Sequence, residues 1–372
     1  MPTLRPPILG DQSGADSPPL FRVANRCSRE RPTLSGSVRP SAVLGPKHVT
    51  PGLHRSGPWC IVPLASPFLT SSSILSLGEA SYIGGVFGSH AKEDRNMANI
   101  RTAIQARPLG LYFVLAFALS WGAILAAVGP AGFPVTEDQL PVLIAAMLLG
   151  PSLAAVLAAG LSSGGEGIRD LFSRLLRWRV HARWYAVALL TAPLSTVVVL
   201  MVLSPFSSDF TSALSASDDK GSLVIMWLVS GILVGFFEEL GWTGFAVPRM
   251  RRHHGVFATG LIVGLLWGAW HFLVNLEGDT FSGVLPFALL IARLFTWLPA
   301  YRVLMVWVYG RTESQLVVTL MHVSLVATTG ILDPVIAGGS LLIFLLAKAA
   351  VFWIMVAAVV FAKQRTAVPT PA

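Results

Sequence analysis

The sequence predicts an all-α membrane protein: a polytopic transmembrane bundle of about eight helices with both termini in the cytoplasm. Hydrophobic residues make up 53% of the 372 residues and charged residues only 12%, whereas a soluble domain carries about 25% charged residues. A helix needs about 20 mostly apolar residues to cross a bilayer. Eight runs meet that requirement, so one membrane domain accounts for most of the chain.

The eight runs follow one another from the second quarter of the chain to its end. They comprise residues 109–128, 141–161, 184–203, 223–247, 256–276, 284–309, 316–332 and 336–362. The seventh run is short, and the sixth contains Pro299, which interrupts a helical pattern.

Charge alternates between the segments that flank and separate these runs. Basic residues occupy every second segment, at Arg101, Arg107, Arg169, Arg174, Arg177, Arg179, Arg183, Arg249, Arg251, Arg252, Arg311, Lys363 and Arg365. The other segments carry Glu137, Asp138, Asp209, Asp218, Asp219, Glu277, Asp279 and Asp333. Basic loops stay in the cytoplasm, so both termini are predicted there, and an even number of spans agrees with that placement.

The formal net charge of +8 does not indicate a nucleic-acid partner. Ten basic and six acidic residues precede Met97, and the remaining surplus lies in loops beside apolar runs. Basic residues in such loops set the topology of a membrane protein. We therefore expect the lipid bilayer as a partner and no nucleic acid.

Residues 1–96 differ from the rest and are predicted to be a disordered leader. Pro, Ser, Arg and Gly dominate there, and Pro63 and Pro67 interrupt the most apolar stretch. Such a segment buries too little apolar surface to offset the loss of chain entropy. Two interpretations stay open, a start codon assigned too early or a regulatory tail. In either case residues 97–372 form the working domain, which begins near Met97.

Four ionisable residues inside the apolar runs are the candidate catalytic residues: Glu238, Glu239, His271 and His322. Such groups are costly in a bilayer and are usually functional. Two adjacent carboxylates in a low dielectric cannot easily both ionise, so one is expected to exchange a proton readily, as a general base does.

A carboxylate and two imidazoles are compatible with several chemistries. Glu238, His271 and His322 could bind zinc and leave one position open for water. The same groups could activate water without a metal, with the histidines stabilising the oxyanion. The sequence also leaves open a haem bound by both histidines, an ion path of a transporter, and histidines that only link helices through hydrogen bonds.

Three motifs contain these residues. They read Glu238-Glu239-Leu-Gly-Trp242-Thr243-Gly-Phe-Ala-Val-Pro248-Arg249, Trp267-Gly-Ala-Trp270-His271-Phe, and Leu320-Met321-His322-Val-Ser324-Leu-Val326. They resemble the Glu-Glu-x-x-x-Arg, Phe-x-x-x-His and C-terminal His motifs of the CAAX prenyl protease/bacteriocin-processing (CPBP, Abi) family of intramembrane proteases. The resemblance runs from about Leu109 to the C-terminus and does not include the leader.

The resemblance implies an endopeptidase that hydrolyses peptide bonds of a membrane-associated protein or peptide substrate. It implies that Glu238 is the water-activating base and that His271 and His322 orient the water or hold zinc. Cleavage by glutamate without a metal and cleavage with zinc are both compatible with these motifs. The expected location is a prokaryotic plasma membrane, which the chain crosses several times.

The chain departs from the family motifs at three positions. Thr243 replaces the usual Arg, Val326 replaces the Asn of the prenyl-protein proteases, and Trp267 replaces Phe, a change that the sequence suggests is mild. Asn275, one helical turn after His271, is a candidate replacement for the polar partner. The change at Thr243 also raises the alternative of a non-catalytic immunity or scaffold protein on the same fold.

Because Thr243 supplies no cation, another residue is expected to neutralise Glu239. At 1.5 Å per residue, Arg293 lies at about the same depth as the glutamates, so it is predicted to pair with Glu239. Lys348 is the second candidate, and Arg302 is expected to extend to the inner membrane surface. Glu239 is predicted to be less critical than Glu238, because neighbouring helical residues point about 100° apart.

Overall fold

The computed structural model describes residues 99, 102, 105–129, 132–133 and 135–365. The predicted leader and the predicted start at Met97 lie outside the described residues. Among the described residues the chain is helical and contains no strand beyond one isolated bridge between Ser212 and Pro334. The predicted all-α polytopic bundle is confirmed.

Nine helices of eight or more residues make up the described bundle. They are α1 (Pro108–Val128), α2 (Leu140–Leu175), α3 (Ala182–Leu203), α4 (Lys220–Gly241), α5 (Val256–Trp270), α6 (Val284–Ile291), α7 (Leu298–Thr312), α8 (Gln315–Ile331) and α9 (Gly338–Arg365). Each predicted run contains one helix, except that α6 and α7 share the sixth. Within the described part, six helical segments are long and apolar enough to cross a membrane, and α5 and α8 are shorter apolar helices.

Two of the spans contain a π-helical turn next to the site described below. The turn Trp242–Ala246 joins α4 to one further helical turn, Val247–Met250, and the turn Ala292–Thr296 follows α6. π-Turns inside helices are frequent at functional sites. Pro299 lies in the first turn of α7, where its missing N–H would have no helical partner, so it begins a new helix.

Glycines bring α4 and α8 into close contact. A Cβ at Gly231 would lie 2.8 Å from the carbonyl oxygen of Val323, and one at Gly235 would lie 3.1 Å from that of Thr319. Small residues allow helix backbones to approach each other in a membrane. This contact brings the glutamate pair on α4 towards His322 on α8.

A second row of glycines joins α5 to the segment that runs from the π-turn into α7. A Cβ at Gly260 would lie 2.5 Å from the Cα of Val303, and one at Gly268 would lie 2.2 Å from the carbonyl oxygen of Leu294. Gly264 lies between them along α5 and approaches Pro299 in the same way. The row fixes the end of α5, which carries His271, against the span that carries Arg293 and Arg302.

Candidate active site

The two adjacent glutamates at the end of α4 face different surroundings. Glu238 lines a cavity of about 620 Å³, and Glu239 does not. Both side chains are buried, with relative exposures of 3% and 0%. The difference follows from the angle of about 100° between neighbouring residues on a helix. Of the two, Glu238 can meet a water or a substrate in the cavity.

Glu238 is held by an indole from α5. The Nε1–H of Trp267 donates to Oε2 of Glu238 at 2.8 Å, and Trp267 is 2% exposed. Oε1 of Glu238 has no hydrogen-bond partner among the described residues. One carboxylate oxygen is therefore fixed, and the other is available to accept a proton.

His271 caps the C-terminal end of α5 and also lines the cavity. Its Nδ1 lies 2.9 Å from the carbonyl oxygen of Trp267, which can only accept, so Nδ1 carries the hydrogen. Asn275 donates its side-chain N–H to the carbonyl oxygen of His271 at 2.9 Å. Nε2 of His271 is thus the ring nitrogen without a partner in the described part of the chain.

His322 reaches the same cavity from α8. Its Nδ1 donates to Oε1 of Glu239 at 2.8 Å, and its ring centroid lies 5.2 Å from that of Trp267. Glu238, His271 and His322 therefore border one cavity, although they lie on three helices. The convergence expected from their depths in the membrane is present in the structure.

Glu239 is the centre of a buried polar network. A guanidinium nitrogen of Arg302 donates to both carboxylate oxygens, at 2.9 and 2.8 Å, and Thr243 donates its hydroxyl to Oε2. Gln315 donates to the backbone carbonyl of Glu239 at 3.3 Å. The Arg302 guanidinium also lies 4.2 Å from the ring centre of Trp267, a cation–π distance. Because Arg302 and Glu239 are both fully buried, the network neutralises a charge that would otherwise be unpaired in the membrane.

The predicted pairing of Arg293 with Glu239 is wrong. Arg293 lies in the π-turn after α6, forms an ion pair with Glu277 and is 30% exposed. Lys348, the second candidate, pairs with Asp333 at 2.6 Å. The cation beside Glu239 is Arg302, which the depth estimate had assigned to the inner membrane surface.

The helix bounds explain this correction. α7 extends to Thr312, so Arg302 lies about 15 Å from the C-terminal end of its helix. Glu239 lies about 16 Å from Met250, the C-terminal end of its own span. The two residues are therefore at the same depth, and Arg302 is too deep to reach the surface.

The other positions singled out in the sequence have different surroundings. Thr243 is buried beside Glu239 and does not line the cavity, whereas Asn275, Arg293 and Val326 do line it. Trp267, where the family usually has Phe, has an indole N–H that holds Glu238. Sequence reasoning missed Trp267 and Arg302 as site residues; both were visible, one inside a motif and one as a charge inside an apolar run.

The zinc alternative requires three suitable ligands within reach of one ion. Each histidine donates Nδ1–H to an oxygen, which is typical of metal-binding histidines. However, no group of three His, Cys, Asp or Glu side chains in the described part of the chain lies close enough to hold a metal ion. As they are arranged in the described part of the chain, Glu238, His271 and His322 do not form a three-ligand zinc site.

The cavity walls are mostly apolar. Trp227, Trp297, Leu298 and Phe344 are among the lining residues, and Arg293 and Asp333 are charged members of the wall. Each of these charges has a partner, Glu277 for Arg293 and Lys348 for Asp333. A volume of about 620 Å³ lies within the range of ligand pockets.

Comparison with known proteins identifies relatives of the segment that contains this site. Residues 220–328 match the family model of type II CAAX prenyl endopeptidase, Rce1-like. The CAAX prenyl protease 2 of Methanococcus maripaludis is 25% identical over 131 residues, which are 34% of this chain and 47% of that protein. The chain thus spans about half the length of this curated relative. The resemblance to the CAAX prenyl protease/bacteriocin-processing family that the three motifs predicted is thereby confirmed, and residues 220–328 carry it.

Proposed function

We propose that the chain is a membrane-embedded endopeptidase that cleaves a membrane-associated protein or peptide with a water molecule activated by Glu238. The observation that supports this function best is that the two adjacent glutamates have different surroundings. Glu238 borders the cavity together with His271 and His322, whereas Glu239 is neutralised by Arg302 outside the cavity. The family resemblance favours the same reaction class.

The proton transfers follow from the contacts of Glu238. Trp267 holds Oε2, so Oε1 takes a proton from the water as its oxygen attacks the carbonyl carbon of the substrate. A tetrahedral intermediate forms, and its former carbonyl oxygen becomes negatively charged. Glu238 then returns the proton to the amide nitrogen, the C–N bond breaks, and a carboxylic acid and an amine leave.

The two histidines have different roles in this proposal. Nε2 of His271 accepts a hydrogen of the water and orients it, because Nδ1 is already bound to the carbonyl of Trp267. His322 borders the cavity with its Nδ1–H held by Glu239, and in this proposal it contributes to the electrostatic stabilisation of the oxyanion. Glu239 and Arg302 are positioning residues, since they act on the reaction through His322 and do not touch the substrate.

Cleavage-product proteomics of cell membranes tests the proposal. Cells would carry the wild-type chain, Glu238→Gln, or the control Glu137→Gln, which alters an exposed loop carboxylate. We expect new peptide termini with the wild type and the control, and none of them with Glu238→Gln at equal amounts in the membrane. The same set of termini from Glu238→Gln would refute the proposal.

A further inference from the structure

The cavity that holds Glu238 is built from one end of the bundle. It is lined by Leu223 and Trp227 from the first three turns of α4, by Gly330 from the last turn of α8, and by Phe344 from the second turn of α9. Residues from the connections before α4 and between α8 and α9 also line it, namely Ala213, which begins the short helix Ala213–Ala216, and Asp333, Pro334, Val335 and Ile336. The cavity therefore opens where these loops lie.

The other end of the site is filled with side chains. Arg302 and Gln315 are fully buried beside Glu239, and Trp242 and Phe245 in the π-turn after α4 are also fully buried. None of these four residues lines the cavity. A substrate can consequently reach Glu238 from the loop end described above and not through this packed region.

The two ends of the bundle differ in charge. We call the end with the cavity mouth the acidic face; its loops carry Glu137, Asp138, Asp209, Asp218, Asp219, Glu277, Asp279 and Asp333. Two contacts connect its loops: the Ser340 hydroxyl donates a hydrogen bond to the Asp209 carboxylate, and Ser212 and Pro334 form an isolated β-bridge. We call the opposite end the basic face; it carries Arg169, Arg174, Arg177, Arg179, Arg183, Arg251, Arg252 and Arg311.

We propose that the cavity opens on the extracytoplasmic side of the membrane and that its substrate is an apolar peptide segment at the outer leaflet. Basic loops remain in the cytoplasm, which places the acidic face and the cavity mouth outside. The substrate half of this inference rests on the proposed protease function, whereas the orientation half does not.

The chemistry of the mouth fits such a substrate. Val335 lines the cavity and is 84% exposed, and Phe281 and Val284 on the same face are 70% and 88% exposed. Apolar residues exposed at this level suit contact with lipid and with a peptide that lies in the lipid. Because Arg293 and Asp333 in the wall are already paired, the cavity selects for uncharged residues around the scissile bond.

Cysteine labelling in intact cells tests the orientation. In the full chain with Cys27→Ser and Cys60→Ser, Val335→Cys marks the cavity mouth and His254→Cys, also exposed, marks the basic face. We expect a membrane-impermeant maleimide to label Val335→Cys in intact cells and His254→Cys only after lysis. The reverse pattern, or labelling of both in intact cells, would overturn the proposed orientation.

A second readout connects the orientation to the substrate and separates the two proposals. Labelling Val335→Cys from outside with a bulky impermeant maleimide should abolish the cleavage products, while the His254→Cys chain treated identically keeps them. If Val335→Cys is labelled from outside but the wild type yields no products, the protease function fails and the orientation stands. If products appear but Val335→Cys is labelled only after lysis, the orientation fails and the protease function stands.

Discussion

Trp267 donates its indole N–H to Oε2 of Glu238 across 2.8 Å, and this hydrogen bond joins α5 to α4 inside the membrane. The same residue accepts Nδ1–H of His271 through its carbonyl, and its ring contacts His322 and the Arg302 guanidinium. One side chain therefore touches the proposed base, one histidine and the cation that neutralises Glu239. The orientation of Glu238 depends on this contact.

We predict that Trp267→Phe lowers kcat/KM by about 10- to 100-fold while the protein still inserts. The variant keeps an aromatic ring but loses a hydrogen bond to a carboxylate, which contributes about 1.5–3 kcal/mol. The measurement is the rate of product formation in proteoliposomes at equal protein amounts.

Trp270→Phe is the matched control for this change. Trp270 is fully buried and its ring lies 4.8 Å from that of His271, but its Nε1 has no hydrogen-bond partner among the described residues. Its loss of volume is the same as in Trp267→Phe, so we expect a much smaller effect on rate. Equal losses in the two variants would show that ring packing, and not the hydrogen bond to Glu238, determines activity.

The buried Arg302–Glu239 pair should behave differently from an exposed pair in a double-mutant cycle. Arg302→Met and Glu239→Gln should each destabilise the protein by about 3–5 kcal/mol, because each leaves a buried partner uncompensated. The double variant should lose much less than the sum of the two single changes. Unfolding in detergent measures these free energies.

Arg293→Met and Glu277→Gln provide the control cycle. This pair is partly exposed, at 30% and 58%, and such pairs contribute about 0–1 kcal/mol. The assignment of Arg302 as the cation that neutralises Glu239 would be contradicted by either of two results. One is that the losses of unfolding free energy at Arg302 and Glu239 simply add, and the other is that the coupling free energy is larger for Arg293 and Glu277.

Position 243 offers a test of how this chain replaces the family's arginine. Thr243 is 1% exposed and donates to a carboxylate that Arg302 already neutralises. Thr243→Arg alone should therefore destabilise the protein, since it buries a second cation beside the same carboxylate. Combined with Arg302→Met, the new arginine can pair with Glu239 at i,i+4, and part of the stability and activity should return. A double variant less stable than Arg302→Met alone would argue against this exchange.

Metal dependence can be tested with a chelator. Because no three ligands in the described part of the chain lie close enough for one ion, we expect cleavage by purified protein to continue in 1,10-phenanthroline at the rate seen with its non-chelating isomer 1,7-phenanthroline. Loss of activity that added zinc restores would show that Glu238, His271 and His322 close around an ion during the reaction.

Much of the fold could be predicted because each span is specified by local composition. The eight apolar runs correspond to the described helices, and the short seventh run is α8. The candidate residues Glu238, His271 and His322 could also be identified, because ionisable groups are rare inside apolar runs. That these three residues line one cavity could not be predicted from the sequence, because it depends on the close helix packing that Gly231, Gly235 and the glycines of α5 permit.

The partner of Glu239 could not be predicted from depth alone. Counting residues along the sequence gives the position of a residue along a span but not the direction in which its side chain points. Because α7 extends to Thr312, Arg293 and Arg302 both lie near the depth of Glu239. The π-turn at 292–296 changes the direction of the side chains in that span. Only the packed structure shows that Arg302 faces α4 while Arg293 faces Glu277.

The rate of Glu238→Gln is the most direct test of the central claim that Glu238 activates the hydrolytic water. The variant keeps the side-chain shape and the oxygen that Trp267 can bind, but its amide cannot accept the proton of the water. We expect product formation in proteoliposomes to fall by at least about 100-fold relative to the wild type, in line with the loss of a general base. A Glu238→Gln rate close to that of the wild type would contradict the claim.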